Sequence, residues 1–212
     1  MRKSLNLILK QFSELDYVHP EDIPNIDLYV DQVTTFIESQ LSSLKRDEDE
    51  KILTKTMINN YTKNHVLPSP DKKKYSKDHV LTLILIYYLK SFLSIKDIQT
   101  LLEPITDKYF GTESELSFYE LYEELVAQGN GQSKALIKDV IAKYNAMQNA
   151  FSDAPEEDQE FLRNFGFICM LSFDVYIKKM IIEQTIDKLT ASSDTTKKSK
   201  KTSSKTMHKE KE

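Results

Sequence analysis

Leu53-Thr-Lys-Thr-Met-Ile-Asn-Asn-Tyr-Thr-Lys63, the centre of the stretch Lys51–Asp97, is the run whose reading decides the fold. Its spacing predicts a short helix over 54–63. Thr54 is placed to accept a hydrogen bond from an early backbone N–H as N-cap. Met57, Ile58 and Tyr61 then share one side at helical spacing. The other side carries Thr56, Asn59 and Lys63, flanked by Lys55, Asn60 and Thr62. Amide side chains donate and accept at base edges, and lysines neutralise phosphate, so this face has the chemistry of a nucleic-acid reader.

The next segment, Asn64-His-Val-Leu-Pro-Ser-Pro-Asp-Lys-Lys-Lys-Tyr75, holds two prolines and three consecutive lysines and does not continue the helix. A new helix starts at Ser76, with Asp78 in its first turn where the helix dipole favours negative charge. Val80, Leu83, Ile84, Ile86, Tyr87 and Leu89 make helix 76–90 apolar almost all round, hence buried. Ser94 and Asp97 form a capping box for a further helix, 95–102, expected to end at Pro104. A reading helix, a lysine-tipped loop and a packing helix together predict a winged helix-turn-helix.

This order of parts resembles the DNA-binding domain of MerR-type transcription regulators. The matching residues are Ile58, Tyr61, Val66-Leu67-Pro68, Lys73, Tyr75-Ser76, Asp78, Val80, Leu83, Ile86 and Ser94-Ile95-Lys96-Asp97-Ile98. The stretch Ile23–Glu103 is similar also to an uncharacterised bacterial family, a domain of unknown function labelled YkrK-like, through Lys51–Lys63 and Lys74-Tyr-Ser76. The resemblance covers less than half of the chain and implies function by analogy. It departs from the MerR pattern at Asn59 and Lys73, where arginines are usual. It departs again at His65, where a glycine is usual, and there Asn64 is expected to supply the left-handed turn.

The 212 residues carry four glycines and one cysteine, 40% hydrophobic and 29% charged. Such a composition favours an all-α chain and leaves no pair for a disulfide or a cysteine zinc site. No apolar run reaches the 18 or so residues of a membrane span, and Met1–Phe12 lacks a secretory cleavage signal. A cytoplasmic protein is expected. The net charge of −4 is uneven. Lys51–Val80 has seven lysines against two aspartates, a local +5, whereas Glu103–Gln128 has seven acids against one lysine, a local −6. The nucleic-acid footprint is therefore local.

Four parts are expected: 1–22, an N-terminal helix and linker; 23–104, the winged helix-turn-helix; 105–190, a helical dimerisation or effector domain; 191–212, a disordered Lys/Ser/Thr tail. In the first part Leu5, Ile8, Leu9 and Phe12 form one apolar face. In the second a helix from Asn25 to about Ser43 carries a stripe of Tyr29, Val33, Phe36, Ile37, Leu41 and Leu44. In the third, Glu113–Gln128 stops at Gly129-Asn-Gly131, Lys134–Phe151 is a second helix, and Ser152-Asp-Ala-Pro155 precedes a last helix, 156–189. Its run Phe165–Phe173 is apolar on every side, so it is either a central post or a seam between two copies, dimerisation being the bolder expectation. Cys169 within it reads as a small buried hydrophobe.

The histidines His19, His65, His79 and His208 are scattered, and there is no glycine-rich phosphate loop or G-x-S-x-G, so no enzyme, metal or cofactor is expected. The expected function is a sequence-specific, DNA-binding transcription regulator, acting on double-stranded DNA as a homodimer. Its contacts are Lys55, Thr56, Asn59, Asn60, Lys63, Lys72, Lys73, Lys74 and Tyr75. The alternative is a protein-interaction module that keeps the winged-helix shape without binding DNA.

Overall fold

The computed structural model describes residues 2–13, 17–112 and 116–207, with side chains described from Leu5 to Ala191 apart from 11 and 13 within those stretches. Among the described residues the chain is mostly helical, with seven α-helices and one two-stranded sheet. The all-α class is as expected.

The helix that organises the rest is α4 (Lys77–Leu89). Its side chains Val80, Leu81, Leu83, Ile84 and Ile86 are all at most 1% exposed. Thr82 is buried with them, its hydroxyl donating to the Asp78 carbonyl at 2.7 Å. A helix apolar on every side has to be covered on every side. α2 (Val30–Leu41) supplies Val33, Ile37 and Leu41 to this core, and α3 (Lys55–Lys63) supplies Ile58 and Tyr61. α5 (Ile95–Tyr109) adds Ile98 and Leu102, and the first turns of α6 (Phe118–Gln148) add Phe118, Tyr122 and Val126. Ile186 of α7 (Glu156–Met207) completes the same cluster.

α3 forms for the reasons its sequence contains. Thr54 Oγ1 accepts the Met57 N–H at 3.2 Å. At the other end the His65 N–H donates to the Thr62 carbonyl at 3.2 Å and the Val66 N–H to the Tyr61 carbonyl at 2.9 Å. These two bonds are a Schellman stop, which needs a left-handed residue just past the helix. That residue is His65, at φ 55°, whereas Asn64 has φ −93° and remains at the cap. The expectation for Asn64 is corrected: the 5→2 and 6→1 bonds fix which position must turn left, and it is the histidine.

Several boundaries differ from the sequence expectation. The helix predicted from Asn25 begins at Val30, because Leu28–Tyr29 (β1) pairs antiparallel with Lys74–Tyr75 (β2), with Leu28 opposite Tyr75 and Tyr29 opposite Lys74. Tyr29 is consequently 54% exposed rather than in the buried stripe. α5 runs through Pro104 to Tyr109, so the division expected at 104/105 falls inside a helix. A proline in a helix interior costs about 3 kcal/mol, which the burial of Leu102 and the packing of Ile105 and Tyr109 against the core outweigh. The Thr106 hydroxyl also donates to the Leu102 carbonyl one turn back, at 3.0 Å.

The two helices expected on either side of Gly129-Asn-Gly131 are one, α6; Glu113–Glu115, the start of the earlier prediction, lies outside the described residues. A Cβ on Gly129 would lie 2.7 Å from the Tyr17 ring, so this glycine permits a close approach rather than ending the helix. A helix-interior glycine costs about 1 kcal/mol, and long flanking segments of good helix formers absorb it. α6 and α7 then pack as an antiparallel hairpin around Tyr144 and Phe167, whose rings meet edge to face at 5.4 Å. Gly166 lets Met147 and Phe151 close against α7, and Lys143 bridges Asp139 to Asp174 across the pair. α1 (Arg2–Ser13) lies on α6 through Leu5; Ile8 and Phe12 of its expected apolar face remain exposed.

α7 continues to Met207, so the tail expected to be disordered from 191 is helical as far as 207, and 208–212 lie outside the described residues. No glycine or proline occurs between 167 and 207, and an established helix adds residues without a new nucleation cost.

The left-handed His65 supplies a stability test. His65→Gly removes the Cβ penalty at φ 55° while keeping both Schellman bonds, so it should stabilise the protein by up to about 1 kcal/mol in urea unfolding. A loss of stability would mean that the imidazole itself holds the turn.

Candidate nucleic-acid interface

α3 presents two sides of opposite character. Ile58 and Tyr61 are buried and Met57 is half-buried, whereas Lys55, Thr56, Asn59, Asn60 and Lys63 are all exposed. Anchoring by Ile58, fully buried, fixes the rotation of the helix about its axis. The polar face is therefore held outward by the core.

The lysine-rich loop returns to this surface through a tight turn. The Lys74 N–H donates to the Asp71 carbonyl at 2.8 Å, and the two residues between, Lys72 and Lys73, have φ 47° and 66°. Two left-handed residues at the centre define a type I′ turn, whose usual occupants are asparagine and glycine. Lysine there carries a backbone cost of order 1–2 kcal/mol per residue. Lys72, Lys73 and Lys74 are exposed. Tyr75 is not: at 4% exposure it is a core residue opposite Leu28, and burial raises the pKa of its phenol. Strand alternation explains the reversal, since Lys74 faces out and the next side chain must face in. Tyr75 leaves the set of surface contacts.

Both lysine groups converge on one end of α2. Lys55 of α3 forms an ion pair with Asp31, and the Lys74 ammonium lies over the Tyr29 ring at 5.7 Å. Tyr29 and Asp31 are two residues apart, so the start of α3 and the lysine turn belong to one continuous surface. The ion pair is exposed on both sides, and such pairs contribute about 0–1 kcal/mol, so Lys55 is readily drawn to another anion. Tyr29 is a member of this surface that sequence periodicity misplaced. A two-residue strand has too few positions to show alternation. The four acids Asp47–Glu50 lie in the connection between α2 and α3, whose end is pinned by buried Ile52 and Leu53. There the Lys90 ammonium donates to the Ile52 carbonyl at 2.9 Å.

Beneath the lysine turn sits His79. Its Nδ1 accepts the Ser76 N–H at 3.0 Å and lies 2.8 Å from the Ser76 hydroxyl, closing the start of α4. The ring packs edge to face against Tyr75 and Phe110. An accepting Nδ1 requires the neutral ring. Burial lowers the His79 pKa from its ordinary 6.5, outweighing the Ser69 and Pro68 carbonyls and the Asp78 and Asp27 charges, which favour the cation. The unfolded chain therefore takes up the proton first as pH falls below 6.5, and native stability falls with it. Melting temperature should drop between pH 7 and pH 5, and His79→Gln should flatten that drop; an unchanged slope in the variant would assign it to other groups.

Among the described residues no group of three or more His, Cys, Asp or Glu is arranged to hold a metal ion, and no helix is long and apolar enough to cross a membrane. No curated protein and no solved structure matches the chain. Residues 18–125 match a family described as a domain of unknown function, DUF1836. The matched segment starts before β1 and ends in α6, so it takes in α3, the lysine turn, α4, α5 and the first turns of α6 with Phe118 and Tyr122. By that match, which covers half of its length, the chain belongs to the DUF1836 family.

Proposed function

We propose that the chain is a sequence-specific DNA-binding transcription regulator of MerR-like, winged helix-turn-helix type, in keeping with the YkrK-like resemblance of its first half. α2 and α3 form the helix-turn-helix, α3 is the recognition helix, and the turn Asp71–Lys74 is the tip of the wing. The observation that carries this reading is the convergence of Lys55 and Lys74 on Tyr29 and Asp31. It makes one exposed surface of a helix bearing two amides and a turn bearing three lysines. On double-stranded DNA, the lysines of such a surface hold phosphates and set the register, and the amides meet base edges in the major groove. The element order strand, helix, helix, lysine turn, strand, helix, helix supports the same reading. Cytoplasmic action on the chain's own upstream region is part of the proposal.

The left-handed lysines give a test in which stability and binding move in opposite directions. Lys73→Gly relieves the φ 66° strain and should raise unfolding stability by up to about 1 kcal/mol. It should also weaken binding to every duplex alike and flatten the slope of log affinity against log salt by about one unit. A more stable variant with unchanged affinity and slope would take the wing out of the interface.

Asn59 carries the base readout. It lies one turn after Thr56 and one before Lys63 on the exposed face, and an asparagine so placed can bond N6 and N7 of an adenine, discriminating by about 1–3 kcal/mol. Asn59→Ala should leave the melting temperature and the salt slope intact while relaxing preference at one position in a selection from randomised duplexes. A gel shift with the upstream DNA of the chain's own gene supplies the starting site. Absence of any shift at low salt would favour the protein-interaction module instead.

A further inference from the structure

Between α1, α6 and α7 the fold leaves a cavity of about 350 Å³. All four members of the apolar stripe of α1, Leu5, Ile8, Leu9 and Phe12, line it. Leu5 and Leu9 also pack with Tyr144 and Phe167, which ties α1 to the α6–α7 hairpin. Ile8 and Phe12 are 46% and 52% exposed, and part of the space they face is this cavity. Val140 of α6 and Phe167 of α7 contribute the walls on the hairpin side. The stripe of α1 is therefore turned toward the hairpin, and the side chains of the three helices do not fill the space between them.

The wall selects the occupant. Among the described residues it is wholly apolar, so water inside has no hydrogen-bond partner, and a charged group entering would lose its hydration without compensation. Apolar cavities of about 150 Å³ stay dry and take up molecules the size of benzene. This one is a little more than twice as large, which suits two or three fused or linked rings, or a chain of about a dozen carbons. It also lies in the size range of small-molecule sites, about 300–1,000 Å³. A partner helix about 10 Å across would occupy the same volume in roughly 4.5 Å of its length, less than one turn of about 5.4 Å, so the space does not suit a helix. We infer that the cavity is a binding site for an uncharged, apolar small molecule, with α1 as one of its walls. Every residue that lines it lies outside the matched segment 18–125, and the inference stands independently of DNA binding.

The test is a fluorescence titration of the full chain with N-phenyl-1-naphthylamine, an uncharged aromatic probe that brightens on leaving water. Binding should saturate at one probe per chain, with a dissociation constant in the micromolar range. Val140→Trp fills the cavity from the α6 side and should abolish saturable binding while the melting temperature stays the same or rises. Phe173→Ser, which alters a side chain 63% exposed on the outside of α7, should bind the probe as the unmodified protein does. Should the tryptophan variant fail to fold, Ile8→Glu sets a carboxylate in the cavity wall at a position already half exposed. It should weaken binding by about tenfold or more. Absence of saturable binding to the unmodified protein overturns the inference. A folded Val140→Trp variant that binds unchanged overturns it too, as does loss of binding in Phe173→Ser, since either result puts the probe on the outer surface.

Discussion

The constraint on which the structure depends is the all-round burial of α4. Five consecutive-turn aliphatic residues, Val80, Leu81, Leu83, Ile84 and Ile86, are essentially sealed from water. Each fully buried aliphatic side chain contributes about 1.5–3 kcal/mol relative to exposure, and none of that is available unless neighbours close every side. α2, α3, α5, the first turns of α6 and Ile182 and Ile186 of α7 do so. The position of the proposed DNA surface follows from this closure. α3 is fixed in rotation by Ile58 and Tyr61, and the lysine turn is fixed by the Leu28–Tyr75 pairing and by His79 at the start of α4.

What could be read from the sequence is what local chemistry encodes. Thr54 and Ser94 cap their helices as their spacing implies, and the apolar run of 76–90 is buried as its composition requires. What could not be read depends on contacts distant along the chain. β1 has two residues and exists only because β2, 46 positions later, pairs with it. Pro104 is tolerated because the residues around it are buried by other helices. Gly129 serves an approach to Tyr17 rather than a helix end, and the glycine rule cannot distinguish the two uses without knowing where Tyr17 lies. Of the nine surface residues expected from the sequence, Tyr75 alone is buried; a one-residue change of register separates Lys74 from it. Tyr29 joined the surface by the same mechanism, opposite Lys74.

Three of the four described non-glycine residues with positive φ lie at or beside the proposed surface, the fourth being Phe151 between α6 and α7. His65, Lys72 and Lys73 all have positive φ, within nine residues of chain. Left-handed non-glycine residues persist where surrounding structure over-determines them, and they cluster at functional sites. Glycine would fit all three positions at lower backbone cost. At Lys72 and Lys73 what the proposal sets against that cost is positive charge at the tip of the wing. Asp31 works in the opposite sense. It pairs with Lys55, so under the proposal a phosphate would have to displace a carboxylate there, which would weaken nonspecific binding.

The central claim is that exposed lysines on one surface meet a phosphate backbone, and salt dependence reads that claim directly. Affinity of the unmodified protein for a duplex of its own upstream region should be titrated against monovalent salt. Contacts from Lys55, Lys63, Lys72, Lys73 and Lys74 predict that log affinity falls with log salt with a slope of about −4.5 per chain, each phosphate contributing about 0.9. A slope near zero, or no binding at low salt, would contradict the account.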